Sequence, residues 1–215
     1  MAFEKVIENL KNNNMEALYF ESSKDVVEDL KSTLKKGATI TSGGSVSLVE
    51  SGVMELLTNG DYNYLDRNNP NLSSEEKQNV FKTTVGGDYY FCSSNAVTEG
   101  GDLCNVDGFA NRITALTFGP KKVFLVVGKN KIVKSIDEGF LRIKKTVAPK
   151  NCVRLGLDNP CTKLGHCVSL LKSENPSLTS GCECATRICR NYIVTSKQGI
   201  KDRITVLLVN EDLGY

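Results

Sequence analysis

Tyr89–Val127, YYFCSSNAVTEGGDLCNVDGFANRITALTFGPKKVFLVV, is the stretch that decides how the chain is read. It begins and ends with strand-like apolar runs, Tyr89-Tyr90-Phe91-Cys92 and Val123-Phe124-Leu125-Val126-Val127. Between them lies a dense set of small and polar residues: Ser94, Asn95, Thr98, Glu99, Asn105, Asp107, Gly108, Asn111 and Arg112. Open α/β sheets gather their ligands where strand ends feed polar, glycine-rich loops. The stretch is therefore expected to supply a ligand-facing rim between two core strands.

Upstream, Ala38–Thr41 reads as another strand, followed by Thr41-Ser42-Gly43-Gly44-Ser45 and a helix carrying Val46, Val49, Val53, Leu56 and Leu57 inward. A strand, a Gly-Gly-Ser turn and a helix N-terminus together can hold an anion, because the glycines let backbone N–H groups approach it and the helix dipole favours negative charge. Ser42, Gly43, Gly44 and Ser45 are thus candidate ligand-binding residues. The same residues also suit a plain tight turn. The loop is not a Walker loop, since no GK[ST] follows.

Outward from these segments the pattern alternates. Phe3, Val6, Ile7 and Leu10 fall on one helical face, Met15–Phe20 reads as a strand, and Val26, Val27, Leu30 and Leu34 mark a helix that stops at Gly37. Asp61–Leu65 reads as a further strand, and Ser73 or Ser74 caps a helix to about Phe81. Ile136, Phe140, Ile143 and Val147 mark a helix stopping before Pro149, and Asn191–Thr195 and Ile204–Val209 are closing strands joined by Lys197-Gln198-Gly199. With no internal repeat and no long linker, one α/β domain over residues 1–215 is expected, with a cysteine-rich segment at about 151–190.

A net charge of +2, with basic and acidic residues interspersed, gives no reason to expect nucleic acid as a partner. No apolar run approaches the ~20 residues needed to cross a bilayer, and MAFEKVIENLKNNN carries acids and amides where an export signal is apolar. A cytoplasmic location is therefore expected. Assembly into a homo-oligomer is left open.

Eight cysteines in a reducing compartment point toward metal rather than disulfides, and five of them fall between Cys161 and Cys189. The candidate ligands are Cys161, Cys167, Cys182, Cys184 and Cys189, with His166 beside Cys167. Four thiolates suffice for tetrahedral zinc or for an iron–sulfur cluster, and the spacing does not separate the two. Cys182 and Cys184 stand too close for a CxxC knuckle. The plainer alternatives are buried reduced thiols or a disulfide formed in air. Cys92, Cys104 and Cys152 stand singly and are read as core packing. His166 is the only histidine, so a triad needing one elsewhere is excluded.

Glu99 and Asp107 are candidate catalytic carboxylates, able to act as general base and acid beside a bound anion. Arg112 is expected to clamp a carboxylate or phosphate with two parallel hydrogen bonds, aided by Asn95 and Asn111. The competing reading is that Asp and Asn here satisfy turn amides. Glu50, Lys121 and Lys122 are read as surface charges.

Three stretches, TITSGGSVSLVESGVMELL (Thr39–Leu57), Ser93–Val133 and VNEDLGY (Val209–Tyr215), together resemble the LUD-domain proteins, the lactate-utilisation family. The resemblance implies a Rossmann-like mixed sheet with flanking helices, similar to the ribose-phosphate isomerase, glucosamine-phosphate deaminase and CoA-transferase group. In ribose-phosphate isomerase-like proteins a glycine turn holds the substrate phosphate, and Thr41–Ser45 is similar. The family is linked to growth on lactate, where members act with iron–sulfur partner proteins. Two functions follow as expectations. One is an enzyme or binder of an anionic small molecule (a phosphate, carboxylate or CoA-type ligand) in organic-acid metabolism. The other is a zinc- or iron–sulfur-bearing electron-transfer or redox-sensing accessory to an iron–sulfur oxidoreductase. Arg187-Ile188-Cys189 resembles a closing family element, while Val168–Gly181 reads as an insertion that leaves Cys167 and Cys182 as rivals for one shared position.

Overall fold

The computed structural model describes residues 2–215. Its strands are β1 (Glu16–Phe20), β2 (Thr39–Ser42), β3 (Asn63–Tyr64), β4 (Tyr89–Cys92), β5 (Ala96–Thr98), β6 (Leu103–Asp107), β7 (Lys122–Gly128), β8 (Ile132–Val133), β9 (Asn191–Thr195) and β10 (Ile204–Val209). Its helices are α1 (Ala2–Asn12), α2 (Ser23–Thr33), α3 (Val46–Glu50), α4 (Val53–Asn59), α5 (Ser74–Gly86), α6 (Asn111–Thr117), α7 (Ile136–Arg142), α8 (Ala148–Arg154) and α9 (Pro160–Leu164).

A parallel sheet of order β1-β10-β7-β4-β2-β3 forms the central layer. Its strands are near-continuous apolar runs because both faces are covered, and side-chain alternation sends neighbours to opposite sides. Cys92, Val123, Leu125, Val127, Val206 and Leu208 face Val6 and Leu10 of α1 and Leu116 of α6. Phe91, Phe124, Val126, Leu207 and Val209 face Val26 and Leu30 of α2, Leu48 of α3, and Val53 and Leu57 of α4. Each such large apolar side chain contributes roughly 1.5–3 kcal/mol on burial. Phe91 and Phe124, with ring centroids 4.9 Å apart, join the two central strands on that second face.

β2 leads outward to β3, whereas β4 neighbours β7 on the other side. That reversal opens a crevice beyond the carboxyl ends of β2 and β4, the position where such sheets hold ligands.

Three elements depart from the sequence expectations. The polar interval expected as a loop folds in part into β5 and β6, an antiparallel pair in a second sheet of order β8-β5-β6-β9. Ala96, Val97, Leu103 and Cys104 are buried there, but these short adjacent pairs lack the alternation that marks a strand and do not stand out among polar neighbours. The expected helix after Gly44 is split into α3 and α4 by Gly52, whose φ of 75° breaks the phase, so that Leu48 is buried and Val49 is exposed. Asp61–Leu65 shrinks to the two-residue edge strand β3. The closing strands lie in different sheets, β9 against β6 and β10 between β1 and β7.

A further correction concerns Pro149. The helix does not end before it: α7 passes through a π-turn (Ile143–Val147) into α8, which has the proline in its first turn. Proline has no N–H to donate back along a helix. In the wider turn the Ala148 N–H bonds to Ile143 O, while the Lys144 carbonyl accepts from Cys167 N at 2.9 Å.

Candidate functional site

A cleft of about 550 Å³ opens at the crevice. The segments following β2, β4, β7 and β10 deliver Gly44 and Ser45, Ser93–Asn95, Lys131 and Tyr215 to its wall, and the Val106–Arg112 rim faces them. Gly44 and Ser45 of the glycine turn and the Ser93–Asn95 and Val106–Arg112 parts of the polar stretch therefore line one cavity, whereas Gly43 does not reach it.

The glycine turn contributes by proximity. Gly43 is buried and donates its N–H to Phe91 O at 2.9 Å, extending the β2–β4 pairing. A Cβ there would stand 2.6 Å from the Tyr90 hydroxyl, so the position admits no side chain. Gly44 lies in the cleft wall, and a Cβ on it would meet Arg67 Nη2 at 3.4 Å and Arg154 Nη2 at 3.7 Å. Ser45 caps α3, its hydroxyl accepting from Leu48 N at 3.4 Å. Ser42 sits apart, its hydroxyl 2.7 Å from the Tyr64 hydroxyl, in a smaller cavity on the far side of Arg67. α3 is one turn and a half long, so the loop and the cations around it, rather than a helix dipole, set the local charge.

The central group is Lys131, which the sequence reading did not single out. It is 3% exposed and belongs to the turn after β7. Its Nζ donates to Ser47 Oγ at 2.7 Å and Ser93 Oγ at 3.0 Å. Those hydroxyls direct their own protons to Leu213 O and Val126 O, so both serve the amine as acceptors. An ammonium has three donors, and two are thereby occupied. Burial, reinforced by the Arg142 and Arg112 charges, lowers the amine to about 7. The available signal was position: a lysine just beyond a core strand's carboxyl end.

Arg112 differs from its expected role as a ligand clamp. Its Nη1 donates to Asn105 Oδ1 at 2.6 Å and Ser93 O at 3.1 Å, and its Nη2 to Val106 O at 2.9 Å and Asn95 Oδ1 at 3.0 Å. Asn105, wholly buried, also donates from Nδ2 to Ser94 Oγ at 3.1 Å. The guanidinium thus fastens the rim to the end of β4. Asp107 accepts from Phe109 N at 3.0 Å and Arg112 N at 3.1 Å, which fixes the turn into α6. That turn includes Ala110 at φ 64°, a conformation rare for a residue with a Cβ.

Glu99 is not in the cleft. It lies at the β5–β6 turn and pairs with Lys5 of α1 at 3.0 Å, on the α1 side of the sheet.

Arg67, from the loop after β3, reaches back into the cleft wall. With its amide turned so that the oxygen faces the donors, Asn111 accepts from Arg67 Nη1 at 2.7 Å. Arg67 Nε is buried without a hydrogen-bond partner, a costly arrangement for a charged donor. In all, Arg67, Arg112, Lys131, Arg154, Arg187 and Arg190 line the cleft against one side-chain carboxylate, Asp107.

The thiols gather in a second, smaller cavity of about 30 Å³. Cys161, Cys167, Cys182 and Cys189 line it, as does Cys152, which the sequence reading assigned to core packing. Cys184 does not line it, although its thiol lies near that of Cys182, and the His166 ring nitrogen Nδ1 faces Cys167 O at 3.1 Å. All eight cysteines are free. Burial pushes Cys161 and Cys189 up to about 12, and the nearby Cys152 and Cys182 push each further the same way. Among the described residues no three His, Cys, Asp or Glu side chains are already spaced as metal ligands. Cys92 and Cys104 are buried in the apolar cores. Arg187, Ile188 and Cys189 line both cavities.

A family model described as the LUD domain matches residues 3–209. The fold is similar to the crystal structure of a DUF162 family protein from Deinococcus radiodurans, at 13% identity and a TM-score of 0.51 over 97% of this chain and 96% of that one. Ribose 5-phosphate isomerase A from Neisseria gonorrhoeae is a more distant likeness, at 12% identity and a TM-score of 0.36 over 53% of this chain and 54% of that one. No curated protein matches the chain. No helix among the described residues is long and apolar enough to cross a membrane.

Proposed function

The chain belongs to the LUD-domain family, associated with lactate utilisation, and we propose that its cleft binds a small anionic molecule, a carboxylate or phosphate of organic-acid metabolism. The observation that carries this reading is that two cations in the wall of one cleft have donors the protein does not satisfy. Lys131 is held with two of its donors on hydroxyls, and Arg67 Nε is buried without a partner. An anion between them satisfies both and balances the excess of positive charge on the wall. Gly44 permits close backbone approach, and Ser45 adds a hydroxyl.

The rim has a supporting part in this reading. Asp107, Asn95, Asn111 and Arg112 position the wall by bonding to one another and to backbone. Lys131, with its lowered affinity for a proton, is the group able to give or take one from a bound ligand near neutrality.

The test is calorimetric titration of the full chain with lactate, inorganic phosphate, a sugar phosphate and a CoA ester. Millimolar or tighter binding of at least one is expected. Lys131→Met should weaken it about 100-fold and Arg67→Gln about 10-fold, as expected for losing charge-assisted hydrogen bonds of about 1.5–3 kcal/mol. Failure of every ligand to bind, or binding unchanged in both variants, removes the reading.

A further inference from the structure

The thiol cavity has a composition that packing does not explain. Five sulfurs reach it from four parts of the chain: Cys152 in α8, Cys161 in α9, Cys167 at the end of the following turn, and Cys182 and Cys189 in the long segment before β9. A free cysteine packs as a small hydrophobe and needs no polar company. Here polar donors aim at the sulfurs. Asn159, 1% exposed, donates from Nδ2 to Cys152 Sγ at 3.3 Å, and Ser169, also buried, donates from Oγ to Cys167 Sγ at 3.2 Å.

Two cations, Lys144 and Arg187, complete the wall, and no Asp or Glu lines it. Lys144 is buried, with Nζ on Ser180 O at 2.5 Å. Arg187 fastens the segment itself, donating to Cys189 O, Cys182 O and Thr179 O. Neutral thiols leave both charges without a counter-charge. Four thiolates around a divalent ion carry a net charge of minus two, which those two side chains match. Donors pointed at sulfur are the outer-shell feature that tunes thiolate–metal centres.

We infer that this cavity is a thiolate metal site, for a zinc or iron centre, with Cys161 and Cys189 as its anchors and further ligands from Cys152, Cys167 and Cys182. Cys161 is held on α9, and Cys189 stands two residues before β9 with its carbonyl fixed by Arg187 Nε at 2.8 Å. The sulfurs are not yet at mutual ligand spacing. The metal therefore draws them inward, cross-linking α8, α9 and the irregular 172–190 segment, and its binding free energy becomes stability of that subregion. Cys184, which lies near Cys182 but not in the cavity wall, is outside the proposed set.

The full chain, reduced and stripped with chelator under anaerobic conditions, is titrated with Zn²⁺ and separately with Co²⁺, and reconstituted in parallel with Fe²⁺ and sulfide. We expect one ion per chain with a raised melting temperature and cobalt–thiolate charge-transfer absorption, or a stable sulfide-containing cluster. The iron arm separates a cluster from a single ion. Cys161→Ser and Cys189→Ser should each lower metal affinity at least about 100-fold, while Cys184→Ser and Cys92→Ser leave it unchanged. Failure of all three metal arms, or a stoichiometric site that survives both anchor substitutions, overturns the inference. So does a site lost only with Cys184. If an anchor variant does not fold, the wild-type metal titrations and Cys184→Ser still decide. None of these readouts depends on what the cleft binds.

Discussion

The two cavities share one wall and are built in opposite ways. The larger is lined by six cations, and its Gly44, Ser93 and Lys131 wall is assembled from residues just past the carboxyl ends of neighbouring parallel strands. The smaller is lined by sulfur and assembled from two short helices and a long irregular segment that no sheet register positions. In the first, backbone geometry does the placing, and the side chains inherit convergence from the strands. In the second, hydrogen bonds from Arg187, Asn159 and Lys144 do it. The cleft is therefore a feature of the fold, whereas the thiol cavity is a local construction appended to it.

The largest effect that sharpens this contrast is the pH dependence of anion binding in the cleft. Lys131 in the free protein is lowered to about 7 by burial. An anion beside it favours the charged form, so binding takes up a proton above that value. Affinity should be flat below about pH 7 and fall by about tenfold per unit above it, until the raised affinity for a proton in the complex is reached. Stability of the free protein moves the other way. The folded state holds fewer protons than the unfolded one between about 7 and 10.5, so the cost of burying this charge is full below pH 7 and fades as pH rises through that window. Calorimetry at pH 6, 7, 8 and 9 in buffers of different ionisation enthalpy reads both affinity and proton uptake. A pH-independent affinity, retained in wild type but not explained by any other lysine, would take Lys131 out of the contact.

Much of the cleft was legible from the chain, and the reasons are local. The apolar runs at Tyr89–Cys92 and Val123–Val127 are strands in any context that buries both faces, and they pair directly, Phe91 with Phe124. The doubled glycine marks the end of β2, where Gly43 has no space for a Cβ. What could not be read was long-range. Lys131 meets Ser47 across 84 residues and Ser93 across 38, and nothing in either neighbourhood announces the meeting. Arg112 looked like a ligand clamp because composition does not reveal that four acceptors surround its guanidinium. Cys152 stands alone in sequence yet joins the thiol group, since α8 carries it there through the π-turn that Pro149 permits.

A second measurement tests whether the rim is held by its buried network. Asn105 is fully buried, accepts from Arg112 Nη1 and Asn95 N, and donates to Ser94 Oγ. Asn105→Leu leaves the Arg112 charge facing an apolar side chain and removes two further bonds. A loss of about 2–4 kcal/mol in urea unfolding is expected, with an unchanged m-value. If stability changes by less than about 0.5 kcal/mol, the network is not what holds the rim.

The shared wall predicts a smaller coupling. Arg187, Ile188 and Cys189 face both cavities, so an ion that fixes Cys189 also fixes part of the cleft. Reciprocal linkage then requires that Zn²⁺ and the anion alter each other's affinity by one common factor, expected to be about fivefold. Titrating the anion with and without Zn²⁺, and Zn²⁺ with and without the anion, measures the factor twice. Unequal factors would mean that the two are not binding the same folded state.

The smallest effect is expected at Glu99, and it is informative because it is small. Glu99 belongs to the polar stretch on which the sequence reading rests, yet it pairs with Lys5 on the α1 side, with side chains 35% and 64% exposed. An exposed ion pair contributes about 0–1 kcal/mol, because solvent screens the attraction and ordering two long side chains costs entropy. Glu99→Ala should therefore leave anion affinity within error and shift stability by under about 1 kcal/mol, whereas Lys131→Met changes affinity strongly. Were Glu99→Ala to weaken binding tenfold, the ligand would have to reach the β5–β6 turn. The cleft between Gly44, Lys131 and Arg67 would then not be the place where the anion is held.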